Sequence, residues 1–264
     1  MDRTTPDAGA QAARPDPSRD ARSRSGSLES AAAQGAPSPR ARARTARVPR
    51  RAWLVPASLI VLGLVPALGG VYRVLDLSTG EASPSSQRFF DDPVPMLLHG
   101  VCSALFVFLG AFQFTKASRR NTRRHRMRGM VFIPCALIAA ATGLWMEATY
   151  ELPPHDGPLL SMFRYAFGAA MLATTLLGVR ALVRRRYRAH GAWMMRTYAI
   201  GMGAGTQVVV FVLYGLLGGE LDVERRAWLM GAAWALNLLF VEWILRRPGR
   251  GTSAAPPETE PAHA

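Results

Sequence analysis

Six stretches of this chain are each long enough to cross a bilayer and almost free of charge, and that constrains the fold more than any other feature. They cover about residues 52–69, 94–115, 129–149, 159–179, 191–217 and 227–245. A hydrocarbon core about 30 Å thick needs roughly 20 apolar residues as a helix. With no water there to satisfy backbone N–H and C=O groups, only helices or closed barrels can cross it. The expected fold is an all-α membrane protein of six transmembrane helices. Mean hydropathy is only +0.08 and formal net charge is +14, averages that would suit a basic soluble protein. Polar tails produce those averages. The first 51 residues hold eleven Arg and no long apolar run.

The expected organisation is a disordered Arg/Ala/Pro-rich tail over 1–49, a six-helix domain over 50–247 and a disordered tail over 248–264. The leader has almost no large aliphatic residues to offset the entropy of ordering. Arg50 and Arg51 before an apolar run also match a twin-arginine export signal, but the long leader and five further spans favour a plain first helix. A soluble α/β enzyme, a disulfide scaffold and a collagen-like chain are excluded. The basic residues flank apolar runs, where topology explains them better than nucleic-acid binding. No P-loop, nucleophile elbow or zinc-protease motif is present. Cys102 and Cys135 are expected to be free thiols at different depths, one in each half of the bilayer.

Charge alternates from one connection to the next. The 116–128 connection carries Lys116, Arg119, Arg120, Arg123, Arg124, Arg126 and Arg128 without an acid, and 180–190 carries five Arg without an acid. The 150–158 connection has only Glu151 and Asp156, while 71–93 and 218–226 are mixed. The positive-inside rule then places both termini in the cytoplasm.

Ionisable residues inside a bilayer are costly and turn toward the bundle interior. Spacing on the second to sixth helices gives each a partly small or polar face. The first helix offers none by the same reading, so it is expected at the periphery of a bundle formed by the other five. Depth sorts the polar residues into two layers. Gln113, His125, Arg126, His190, Arg196 and Glu242 form a cytoplasmic-side cluster, a candidate binding site; His99, Glu147 and Arg164 lie on the outer side. Arg196 and Glu242 stand about one turn inside neighbouring antiparallel helices and should pair. His125 and His190 each follow an Arg-rich loop at a helix start, where free N–H groups favour an anion.

The motifs HGVCSALFVFLGAFQF, RRHRMRG, HGAWMMRTYA and WALNLLFVEWILRR resemble a bacterial membrane family known only as domain of unknown function 2306. The family pattern falls on His99, Gly110, Gln113, Phe114, His125, Arg126, Gly129, His190, Trp193, Met194, Arg196, Asn237, Glu242 and Trp243, over about 90–250. The resemblance implies a polytopic membrane protein and one polar constellation, but no activity.

Three functions fit. The first is a scaffold or accessory membrane protein whose polar residues fix helix packing. The second is a transporter or binder of a small anionic or amphipathic molecule, in addition to the lipid bilayer as partner. The third is an electron-transfer protein holding haem b, with His125 and His190 as candidate axial ligands. No catalytic residue and no metal set stands out. Topology is checked with reporter fusions at Arg120 and Pro154: a cytoplasmic reporter should be active at the first and a periplasmic one at the second, and the reverse result excludes this orientation.

Overall fold

A computed structural model describes residues 53–80, 82, 83, 86–114 and 122–247. The two tails, the basic collar through Arg51 and part of the first Arg-rich connection lie outside the described residues. The described elements are helices: α1 Leu54–Thr79, α2 Gln87–Asp91, α3 Pro93–Gln113, α4 Thr122–Thr149, α5 Pro158–Val183, α6 Tyr187–Gly201, α7 Gly203–Leu216 and α8 Val223–Arg246. Five of them, α1, α3, α4, α5 and α8, are long and apolar enough to cross a membrane alone.

The fifth span differs from the expected continuous helix over 191–217. It breaks at Met202 into α6 and α7, bent by 42°. The two halves run antiparallel along α8. Arg196, the tenth residue of α6, pairs with Glu242 close to the end of α8, while Gln207 of α7 donates to the Met230 carbonyl nearer its start. The break falls in the run Gly201–Met202–Gly203–Ala204–Gly205, where glycine weakens the helix and neighbours crowd the backbone. A Cβ at Gly201 would collide with Phe106, one at Gly203 with Trp234, and one at Gly205 with the carbonyl oxygen of Leu62. Asn237 on α8 holds the two halves together. Its amide donates to the Ala199 carbonyl at 3.1 Å, and its oxygen accepts from Thr206 Oγ1 at 3.0 Å.

Most helices also extend past their apolar runs. The Arg-rich stretch from Thr122 belongs to α4, and α1 continues to Thr79 through Arg73 and Asp76, an ion pair one turn apart at 3.0 Å. Arginine is a good helix former and its long stem reaches water from a buried backbone, so charge ends the apolar run without ending the helix.

An antiparallel register fixes α3 against α4. Gln113 Nε2 donates to the His125 carbonyl at 3.0 Å, Cys102 meets Cys135, and His99 Nδ1 lies 2.9 Å from the Ala139 carbonyl. Descending α3 from 113 to 102 to 99 matches ascending α4 from 125 to 135 to 139. The expectation that the two cysteines lie at different depths is corrected by this register. Both are buried free thiols, side by side at one level.

The core lies on this pair. Phe106, Phe132 and Tyr198 stack among themselves with ring centroids 4.7–6.2 Å apart, and the Tyr198 hydroxyl donates to the Val107 carbonyl. At the edge, α1 is the most exposed span, as its peripheral position requires. The reading that it has no small face is nevertheless corrected. Gly63 lies against Val107 of α3, and Gly70 approaches Gly100.

Gly205→Ala would press a methyl into the Leu62 carbonyl oxygen, where backbone must move. It should lower stability in detergent by about 1–3 kcal/mol, while Gly215→Ala, with open space around it, should change melting little. Equal melting of both variants would show that α1 does not seat on α7.

Candidate functional site: a cavity at the acidic end

Arg164 stands six residues into α5, about 9 Å from its start, on a helix otherwise apolar at that depth. A guanidinium so placed needs local counter-charge, and two carboxylates supply it. Arg164 Nη1 donates to Glu147 Oε2 of α4 at 3.0 Å, and Nη2 donates to Asp156 Oδ2 at 2.8 Å. Asp156, in the short connection between these helices, also accepts from Arg226 Nε of α8 at 3.0 Å. Glu147 and Asp156 side chains are only 6% and 4% exposed. One alternating network thus ties α4, α5, their connection and α8 at the end of the bundle that bears the acidic connections. Burial alone would push the Asp156 carboxyl up, but Arg164 and Arg226 outweigh it and hold its pKa below the usual carboxylate range.

Beneath this network lies a cavity of about 520 Å³. Its lining comes from α1, α2, α3, α4, α5, the broken span and α8, and includes Met202, Gln207 and Trp234. The volume falls in the range of small-molecule sites, which are mostly apolar with a few placed polar groups. On its α3 wall stand two polar residues, Ser103 and, one turn before it, His99. Its Nδ1 faces the Ala139 carbonyl at 2.9 Å and Thr142 Oγ1 at 3.3 Å, while the Thr142 hydroxyl is itself donated to Ile138. Both neighbours can therefore only accept, which puts the ring proton on Nδ1. Glu147 also lines the cavity, and its Oε1 is buried with no hydrogen-bond partner.

At the other end, which bears the Arg-rich connections, the residues grouped as one cluster make three separate contacts between helices. Gln113 joins the His125 carbonyl between α3 and α4. His190 Nδ1 lies 2.9 Å from the Gly178 carbonyl of α5. Arg196 forms a two-point pair with Glu242, Nε to Oε1 at 2.5 Å and Nη2 to Oε2 at 3.1 Å, with the guanidinium over the Trp193 ring. Arg126 is exposed. The helices bearing His125 and His190 meet deeper, where Phe132 faces Tyr198 and Phe114 packs on both. A haem between the two histidines would have to displace that aromatic packing, so the residues present do not fit it.

His99, Glu147 and Arg164 converge on the cavity. Asp156 and Arg226, counted in the sequence only as loop charges, complete their network. The missed signal was stoichiometric: an intramembrane Arg beside two acids, eight and seventeen residues before it. The α1 wall was missed as well, although Gly63, Ala67 and Gly70 share a helix face.

The fold and cavity define a polytopic, all-helical membrane protein. Residues 96–245 match the family model described as predicted membrane protein (DUF2306), more than half of the 264 residues, and the chain belongs to that family. No curated protein and no solved structure matches it.

A carboxyl whose pKa is depressed on folding stabilises the fold above its ordinary pKa, near 4, and loses that contribution as pH falls through the lowered value. Asp156→Asn should therefore lower the melting temperature at pH 7, by the equivalent of about 3 kcal/mol for a buried network losing one charge. The gap to wild type should narrow as pH falls below about 4. A gap independent of pH would mean that Asp156 is not held ionised by the two arginines.

Proposed function

We propose that this protein binds a small, mainly apolar molecule in the acidic-end cavity. The observation that carries this reading is the cavity itself, about 520 Å³, partly open, bordered by all six spans and carrying polar residues on several walls. A scaffold role accounts for the ion pairs and side-chain-to-backbone bonds but gives a recess of this size no purpose, whereas small-molecule sites are concave, mostly apolar and of this volume.

In this reading Gln113, His190, Arg196 and Glu242 clamp helices together, and His125 and Arg126 belong to that clamped end. With the Arg-rich connections in the cytoplasm of a bacterial inner membrane, the cavity occupies the outer half of the bilayer. An anionic ligand is disfavoured there because Arg164 and Arg226 already face Glu147 and Asp156. The way toward the cytoplasmic end is closed by Phe106, Phe132 and Tyr198, which are 1%, 1% and 6% exposed. A binder or carrier of an outer-leaflet molecule suits this arrangement better than an open conduit. If the molecule crosses further, the break at Met202 is the place where the wall can move, since discontinuous helices commonly border transporter sites.

Native mass spectrometry in mild detergent tests the reading. Wild type should retain a small molecule, or take one up from an added panel of apolar compounds. Ala104→Phe, which fills the cavity from α3, should abolish that mass shift without lowering the melting temperature. Equal occupancy in wild type and Ala104→Phe would place the ligand elsewhere and end the proposal.

A further inference from the structure

The cavity reading says that a ligand binds; the polar atoms on its wall say what kind. Two of its lining residues carry an acceptor with no donor of its own. His99 has its Nδ1–H committed to Ala139 and Thr142, so its neutral ring presents the Nε2 lone pair. Among the described residues that nitrogen has no hydrogen-bond partner, and the residue lines the cavity. Glu147 is held by Arg164 through Oε2 alone, leaving Oε1 buried and unpartnered. The two lie close together on the wall. Gly143 is packed against the His99 ring, so that a Cβ added to it would stand only 3.3 Å from Cε1. Glu147 is four residues further along α4, about 6 Å.

A buried acceptor left without a donor costs about 1–3 kcal/mol, more when charged. Glu147 Oε1 is such an atom, and His99, whose Nε2 has no donor among the described residues, lines the same mainly apolar space. The lining also holds donors, the Ser103 hydroxyl and Arg88, and Arg88 Nη1 donates to the Glu151 carbonyl at 3.3 Å. Arg164 is shared between two carboxylates, and Arg226 faces Asp156. The Gln207 amide, also in the lining, donates to the Met230 carbonyl.

We infer that the cavity selects an apolar molecule that carries a hydroxyl, an alcohol or phenol, whose O–H donates to His99 Nε2, with Glu147 Oε1 placed to take a second donor. This inference rests on the cavity reading and specifies its ligand class. Ketones, ethers and carboxylates of the same shape lack the donor and leave both acceptors unpaired, and a carboxylate also adds a charge facing Glu147. His99 is the residue that reads the hydroxyl. Its bond to Ala139 also fixes the ring, in the way a backbone carbonyl commonly sets a histidine tautomer.

The test compares 4-pentylphenol with 4-pentylanisole, which share an apolar body and differ in the donor. Affinities come from ligand-dependent melting of the full chain in detergent. Wild type should bind the phenol at least about tenfold more tightly, the value of one hydrogen bond to an otherwise unpaired acceptor. His99→Asn keeps an amide N–H able to reach Ala139 but has no atom where Nε2 stood. It should melt near wild type, bind the anisole as before, and lose the preference. A structural role for His99 would alter melting and leave the ratio of affinities unchanged. Equal binding of the two compounds by wild type, an undiminished ratio in His99→Asn, or no binding of the phenol overturns the inference. Ala104→Phe separates the two levels: if it abolishes binding of both compounds while wild type binds them equally, the cavity reading stands and the hydroxyl preference fails.

Discussion

A guanidinium inside an apolar helix has to be neutralised where it stands, and the acidic end of this protein is organised around that requirement at Arg164. Its partners come from different parts of the chain: Glu147 from the preceding helix, Asp156 from the connection and, through Asp156, Arg226 from the last helix. Each surface ion pair of this kind would contribute little. Here the carboxylates are nearly fully covered, so losing any one partner leaves a charge with nowhere to go. The network fixes how α4, α5 and α8 converge, and that convergence leaves space beneath it.

The rest of the bundle is held by simpler devices. Side chains donate to main-chain carbonyls across helix pairs, as Gln113, Tyr198 and Asn237 do. Glycines let large rings and one backbone oxygen approach the main chain. Between apolar helices in lipid there is no hydrophobic gain from association, so close packing and such bonds have to supply it. The Met202 break fits the same logic. Crowded glycines loosen the fifth span, and Asn237 bridges the two halves from outside.

The two ends consequently differ in character. The Arg-rich end is closed by point-to-point clamps and an aromatic layer, while the acidic end borders a cavity lined by His99 and by Glu147, whose Oε1 is unpaired. Sequence spacing put Arg196 opposite Glu242 because both lie about one turn inside the apolar runs of adjacent antiparallel spans, a purely local inference. It also placed His99, Glu147 and Arg164 at one depth. Grouping the clamped residues as a single site went further than spacing can go. Equal depth does not specify which helices are neighbours around the bundle.

The sequence alone determined the class of fold and most helix ends to within a few residues, because bilayer thickness and backbone satisfaction act on each segment independently. Family membership followed from motifs spread over α3 to α8. Tertiary structure alone decided that α1 borders the cavity with a glycine face, that the fifth span breaks at Met202, that Cys102 meets Cys135, and that Asp156 and Arg226 complete the charge network. Each of these depends on which helix stands beside which, and at what register. In a bundle those are set by many small packing choices between segments far apart in the chain, and no single segment carries them.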